Sequence, residues 1–215
     1  MRIAAFRSAA LHLPPSLLER PRARHPGIEP RVRIVREVGR GTADEVADGR
    51  ADVAIATLSG SAPLASGLVA NGLLDEPYAL APARGHPSPR SLPLVDWAED
   101  CGSYTRDWRA AQDRIPKAAL EAEDDAAAFS PVSGGHGMAI MPALSLVGAP
   151  DSARISELDP ERPTRRIGYV TTSELAGSAV VRALVRELRA TVPQVADLLA
   201  GKERLRGTGD HRETP

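Results

Sequence analysis

This chain of 215 residues has a single cysteine, Cys101, and few aromatic residues, 3% of the total. One cysteine cannot build an intramolecular disulfide framework or a multi-cysteine zinc site, and it suits a reducing compartment. Cys101 reads as a small buried hydrophobe. An excess of charge of one sign is also missing: 27 Lys and Arg face 28 Asp and Glu, giving −1 at pH 7. No overall basic field draws these residues onto nucleic acid, and no acidic excess marks a solvating chain. Long apolar runs are absent too. No stretch reaches the roughly 20 residues that span a bilayer, and "MRIAAFRSAALHLPP" has an Arg but no apolar segment of signal-peptide length. The expectation is a cytoplasmic protein with no membrane partner.

What is present is a regular alternation. Ile3, Ala4, Ala5 and Phe6 form an apolar run in a strand expected over 2–6, and a helix is expected over 8–20 with Ser8 as N-cap, until Pro21 ends or kinks it. "RVRIVREV" alternates, with Val32, Ile34 and Val38 apolar against Arg31, Arg33 and Glu37, and reads as a second strand. Thr42 stands three residues before Glu45, the spacing of a capping box that opens a short helix. "ADVAIATL" is nearly all apolar, as a parallel strand covered on both faces should be.

The resulting order β-α-β-α-β implies a parallel sheet with right-handed crossovers. Ligands of such sheets bind beyond the carboxyl ends of the strands. Three places meet that description: Arg7 with Ser8, Gly41 with Thr42, and Thr57 to Ser59. Their donors suit a small anion, and Arg7 could pair with a carboxylate through its fork. Ser8 and Thr42 read equally well as plain helix caps, and Arg7 as a solvated charge.

Past Leu68 the pattern loosens. A strand is expected over 78–82, then a Pro-, Gly- and Ser-rich stretch over 83–93 that marks a lobe boundary. Further on, "CGSY" ends a short strand, "TRDWRAAQDR" looks helical, "KAALEAED" reads as a strand, and Asp124 or Asp125 starts a helix. Gly134, Gly135 and Gly137 allow tight turns before a strand at 138–141 that Pro142 stops. "RRIGYVTT" reads as a returning strand. In "SAVVRALVRELRATV", Val180, Leu184 and Leu188, with Val181 and Val185, lie opposite Arg182, Arg186 and Arg189 on an amphipathic helix. Residues 201–215 are charged and aperiodic, and a disordered tail is expected there.

Signals of catalysis are sparse. No G-x-S-x-G elbow surrounds any serine, and Ser8 in "FRSAA" lacks the flanking glycines. His12, His25, His86, His136 and His211 show no i, i+4 pairing, so no metal site is expected. "GRGT" lacks the Lys of a Walker loop and the third Gly of a dinucleotide fingerprint. Asp124 and Asp125 read as caps, because adjacent helix residues diverge. Trp97 and Trp108 read as core anchors. His136 in its glycine loop reads as a structural hydrogen-bonder, or as a titratable anion contact.

Taken in order, "RIAAFRSAALHLPPSLLERPRARHPGI", "GTADEVADGRADVAIAT", "LLDEPYALAPARGHP", "VSGGHGMAIMP" and the terminal "RRIGYVTT" strand with its helix resemble the effector-binding domain of LysR-type transcriptional regulators, over residues 2–192. The resemblance implies an α/β, two-lobed, periplasmic-binding-protein-like (type 2) fold. Each lobe would be a mixed sheet flanked by helices, with two crossovers between the lobes, near Arg84 and near Arg165. Lobe I would comprise residues 1–83 and 165–200, and lobe II residues 84–164. An effector would sit between them. By the same resemblance Ser8 is the cap residue that commonly touches the ligand, Thr42 the second contact and Thr57 with Leu58 the third. Gly102, Ser103 and Tyr104 correspond to the facing segment of lobe II, with His136 beside it.

The implied function is a ligand-sensing regulatory domain that takes a small organic, anionic effector and controls transcription, with no cofactor and no catalysis. Its partners would be that effector and further copies of itself, as a dimer or tetramer. The winged helix-turn-helix and linker helix of full-length members are not among these residues, so DNA contact is expected only through such an N-terminal domain. Pro21 departs from the family's habit of a good helix former there, which puts the usual dimer-forming face in doubt. A stand-alone solute-binding protein and an enzyme on the same scaffold are the alternatives; fold alone separates neither.

Overall fold

The computed structural model describes residues 1–12, 26–39, 41–58, 64–97, 108–109, 111–112, 115–158 and 162–207. Two compact units emerge, one of residues 1–76 and 165–195, the other of 77–164 and 196–215.

The first unit is built on β1 (Arg2–Ala5), α1 (Arg7–His12), β2 (Arg31–Ile34), α2 (Ala43–Ala47) and β3 (Val53–Thr57). β1 pairs in parallel with both β2 and β3, which is the geometry the alternating strands and helices imply. Two further strands extend this sheet. β9 (Thr164–Thr172) runs antiparallel to β3, and β4 (Leu68–Ala81) lies beside β9, giving the order β2-β1-β3-β9-β4. Ala4, Ala54, Ala56 and Val170 pack with Val46 of α2 on one face. Small side chains dominate because the short α2 lies close against the strands. After β9 come α5 (Ser173–Ala176), a turn of helix that the sequence pattern does not announce, and α6 (Ala179–Gly207). Val181, Leu184, Val185 and Leu188 of α6 are buried while Arg182, Arg186 and Arg189 are exposed, the amphipathic register expected.

The second unit uses the latter part of β4, which pairs antiparallel with β7 (Ala139–Pro142) and β8 (Ser156–Glu157). β5 (Leu94–Trp97) and β6 (Ala118–Ala122) form a parallel pair, and α3 (Asp125–Ser133) and α4 (Ala143–Val147) flank the strands. Asp124 caps α3: its carboxylate accepts the Ala127 N–H at 2.7 Å. Two apolar clusters hold this unit, one around Val95, Trp97, Val132, Met141 and Leu146, the other around Tyr78, Leu80, Leu94, Met138 and Ile140.

Several sequence expectations need correction. β4 starts at Leu68, not near 78, because pairing with β9 outweighs the weak strand preference of Asn71 and Gly72. Close approach drives this: a Cβ on Gly168 of β9 would collide with the Asn71 carbonyl oxygen and the Leu58 side chain. The division between units falls at 76/77 within that strand, while the Pro- and Gly-rich stretch lies inside the second unit around a 3-10 turn (Pro89–Ser91). Pro142 closes β7 as its last residue. Residues 201–207 continue α6, since Lys, Glu, Arg and Leu are good helix formers that outweigh Gly201; the rest of the expected tail lies outside the described residues. Cys101, Pro21 and most of "TRDWRAAQDR" also lie outside them.

Candidate functional site

Because β1 and β3 run parallel in register, with Ala5 opposite Ile55, Ser8 and Thr57 leave the sheet at the same end. Thr42 joins them: its hydroxyl donates to the Ile55 carbonyl at 2.8 Å, which ties the start of α2 to the end of β3. Arg7 is the first residue of α1, half-buried and engaged within the chain rather than a free cation. The first unit thus gathers Ser8, Thr42 and Thr57 at the carboxyl ends of its strands.

What these residues do there differs from the expected capping. Ser8 lies within α1, one residue past its start, so it is not the cap. Buried at 4% exposure, its hydroxyl accepts from the Arg165 guanidinium at 3.3 Å. Arg165 also donates through Nε to Glu76 at 2.6 Å and stacks over the Phe6 ring at 4.6 Å. Both members of this ion pair are deeply buried, at 5% and 0% side-chain exposure.

The capping box is absent as well. Thr42 has helical backbone angles and no side-chain cap bond, its hydroxyl being spent on Ile55. Glu45 instead pairs with Arg50 at 2.8 Å and Arg33 at 3.0 Å. The Arg50 hydrogen bond is the main cause that holds the Glu45 carboxyl below its usual range.

A residue that sequence reading left as a solvent-facing charge proves central. Glu37 is buried, while its neighbour Val38, read as apolar and inward, is exposed. One Glu37 carboxylate oxygen accepts the Thr42 N–H at 2.8 Å and the other accepts the Thr57 N–H at 2.7 Å. Gly41, at φ +68°, leaves room for this carboxylate; a Cβ there would stand 3.1 Å from it. The backbone donors that an anion was expected to find are therefore held by the chain's own anion. "GRG" flanking a strand end was the signal present in the sequence, but nothing in the pattern said that Glu37 turns inward.

Leu58 is a packing residue more than a polar contact: its N–H donates to the Arg166 carbonyl at 2.8 Å and its side chain covers Gly168. In the second unit His136 is exposed, its N–H closing the end of α3 on Pro131 at 2.9 Å and its ring lying against Gly134. The backbone of His136 therefore serves the helix end, and its ring stays at the surface. Gly102, Ser103 and Tyr104 lie outside the described residues. A groove of about 370 Å³ on the first unit, lined by Tyr169, Val181, Arg182, Val185 and Arg189 among others, includes none of the expected contacts.

A parallel sheet that sends out β4 to a second α/β unit and takes back β9 as an antiparallel return has the topology of the type 2 periplasmic-binding-protein-like class. The chain belongs to the LysR substrate-binding domain family, whose model matches residues 1–193, the ligand-sensing part of LysR-type transcriptional regulators. It is 29% identical over 205 residues to the "Probable HTH-type transcriptional regulator LrrA" of Synechococcus elongatus, covering 91% of this chain and 67% of that one. Among solved structures, a Corynebacterium glutamicum OxyR C206 mutant matches with a TM-score of 0.74 and 19% identity, over 94% of this chain and 67% of that chain. The regulatory domain of CcmR from Synechocystis PCC6803, in complex with 2-PG, matches with a TM-score of 0.71 and 18% identity, over 89% and 96%.

Proposed function

We propose that this domain senses a small organic effector at the carboxyl ends of the first unit's strands, with Arg7, Ser8, Thr42, Thr57 and Leu58 forming that side of the site. Gly102, Ser103, Tyr104 and His136 are assigned to the second unit's share of it. The observation that carries this reading is the convergence of Ser8, Thr42 and Thr57 at one end of a parallel sheet, in a chain of this family. Binding there biases the arrangement of a homo-oligomer and so regulates transcription, provided the effector prefers one arrangement. DNA is contacted through a helix-turn-helix domain, as the HTH-type name of the LrrA relative suggests. The domain recognises rather than transforms its ligand, and it acts in the cytoplasm. No helix of the described residues is long and apolar enough to cross a membrane.

The test is a thermal-shift screen of small molecules against the purified chain, with each hit followed by amide resonances. A true effector raises stability by about 2.7 kcal/mol at 100 times its Kd and moves the amides of Ser8, Thr42 and Thr57. Hits that leave all three unmoved would reject the site, and a diverse library without hits would reject the sensor.

A further inference from the structure

We propose that Glu37 sets the effector class of this site: its carboxylate occupies the paired amides of Thr42 and Thr57, so the site turns away carboxylates and takes a neutral or cationic ligand that donates hydrogen bonds. The choice of class rests on the sensor reading above; the occupancy does not.

Three observations carry it. Both carboxylate oxygens are engaged, at 2.8 Å and 2.7 Å, by amides from two different elements, the loop before α2 and the end of β3. Glu37 is about nine-tenths buried, so its charge is committed inward, not shared with solvent. Gly41 keeps the space for it, with a Cβ there at 3.1 Å from the carboxyl carbon and one oxygen.

Two further donors at this end are also spent within the chain. The Thr42 hydroxyl serves Ile55, and Arg165 is bound to Glu76 and Ser8. An anionic effector would have to expel Glu37, an attached competitor present at an effective concentration of millimolar or more. It would also bring a second negative charge beside the first. A carboxylate, by contrast, has about four lone-pair positions, and the two amides use two of them. The rest are acceptors, which a hydroxyl, amine or amide N–H of the effector can satisfy.

The probes are sodium acetate and sodium benzoate at matched ionic strength, read through the backbone amide resonances of Thr42 and Thr57. In the wild-type chain both resonances stay in place. In Glu37→Ala both move, with an apparent carboxylate affinity at least about tenfold higher, the scale of a charged hydrogen bond gained. Glu37→Asp, one methylene too short to seat its carboxylate on both amides, responds with an intermediate shift. Should Glu37→Ala fail to fold, Glu37→Gln supplies the comparison: its side-chain oxygen holds one amide, its NH2 cannot accept from the other, and one of the two resonances responds.

Carboxylates that move both amides equally in wild type and variant would overturn the proposal. So would amides that ignore carboxylate once Glu37 is gone. Neither arm needs the natural effector, so a failed effector screen and a failed occupancy result are separate outcomes.

Discussion

Both units have apolar interiors, but they differ in how far charge locks their polar groups. In the first, polar groups at the strand ends are locked by charge: Arg165 on Glu76 and Ser8, Glu37 on two amides, Arg2 on Asp52, Glu45 between Arg33 and Arg50. In the second, the described interior is mainly volume, with Tyr78, Trp97, Met138, Ile140 and Met141 filling two apolar clusters. Charge fixes direction and volume fixes proximity. A unit that must present specific donors and acceptors gains from the former, at the cost of sensitivity to the protonation and identity of single residues.

The comparison breaks most sharply at the buried pair. Glu76→Ala should cost about 3–5 kcal/mol in urea denaturation, because it strands the Arg165 guanidinium in a dry site. Replacing both partners, with Arg165→Met and Glu76→Gln, should recover much of that loss; a double variant as unstable as the single one would assign the cost to packing. Next comes Met141→Ala in the second unit, about 3 kcal/mol from lost transfer energy and a cavity. That loss should be the same at pH 5 and pH 7, and a loss that varies between them would deny the contrast.

Smaller effects probe the charges alone. Gly41→Ala should cost about 1–2 kcal/mol through its positive φ and push Glu37 from its seat, seen as shifts of the Thr42 and Thr57 amides. Glu45 and Asp52 both titrate below their ordinary values of 4.5 and 3.8. For Glu45 the Arg50 bond is the main cause; for Asp52 burial pushes upward and the Arg2 hydrogen bonds more than offset it. Their contribution is therefore complete above those ordinary values and is lost as the pH falls through the lower, folded ones. Glu45→Gln should remove part of that acid dependence at a cost below about 1 kcal/mol, since Arg33 and Arg50 are half-exposed or more.

Much of the architecture was legible because it is local. The alternation of β1, α1, β2, α2 and β3, the Asp124 cap and the buried face of α6 all follow from period and capping chemistry. What escaped depends on distant partners. Glu76 and Arg165 stand 89 residues apart, and no periodicity joins them. Glu37 follows the alternation that would point Val38 inward, yet the chain leaves β2 after Ile34 and reverses that parity. Ile34, at 58% exposure, was likewise read as inward but sits on an edge strand. That Ser8, Thr42 and Thr57 share one end of the sheet was legible, but their partners were not: a hydroxyl in sequence does not reveal whether it faces a ligand or a carbonyl.

The Glu76 to Arg165 contact has one more consequence. Asn71 meets Tyr169, Asp75 meets Arg166 and Glu76 meets Arg165, so the outgoing and returning strands run side by side in opposite senses up to the very point where the chain departs. Residues 77–164 are in effect a long insertion into a hairpin whose mouth is already shut. Joining Glu76 to Arg165 through a linker of about 2–5 residues, the length of ordinary hairpin loops, would close it without asking either strand to move. The hairpin is in that sense separable from residues 77–164 by surgery at one place, and the ion pair is the suture.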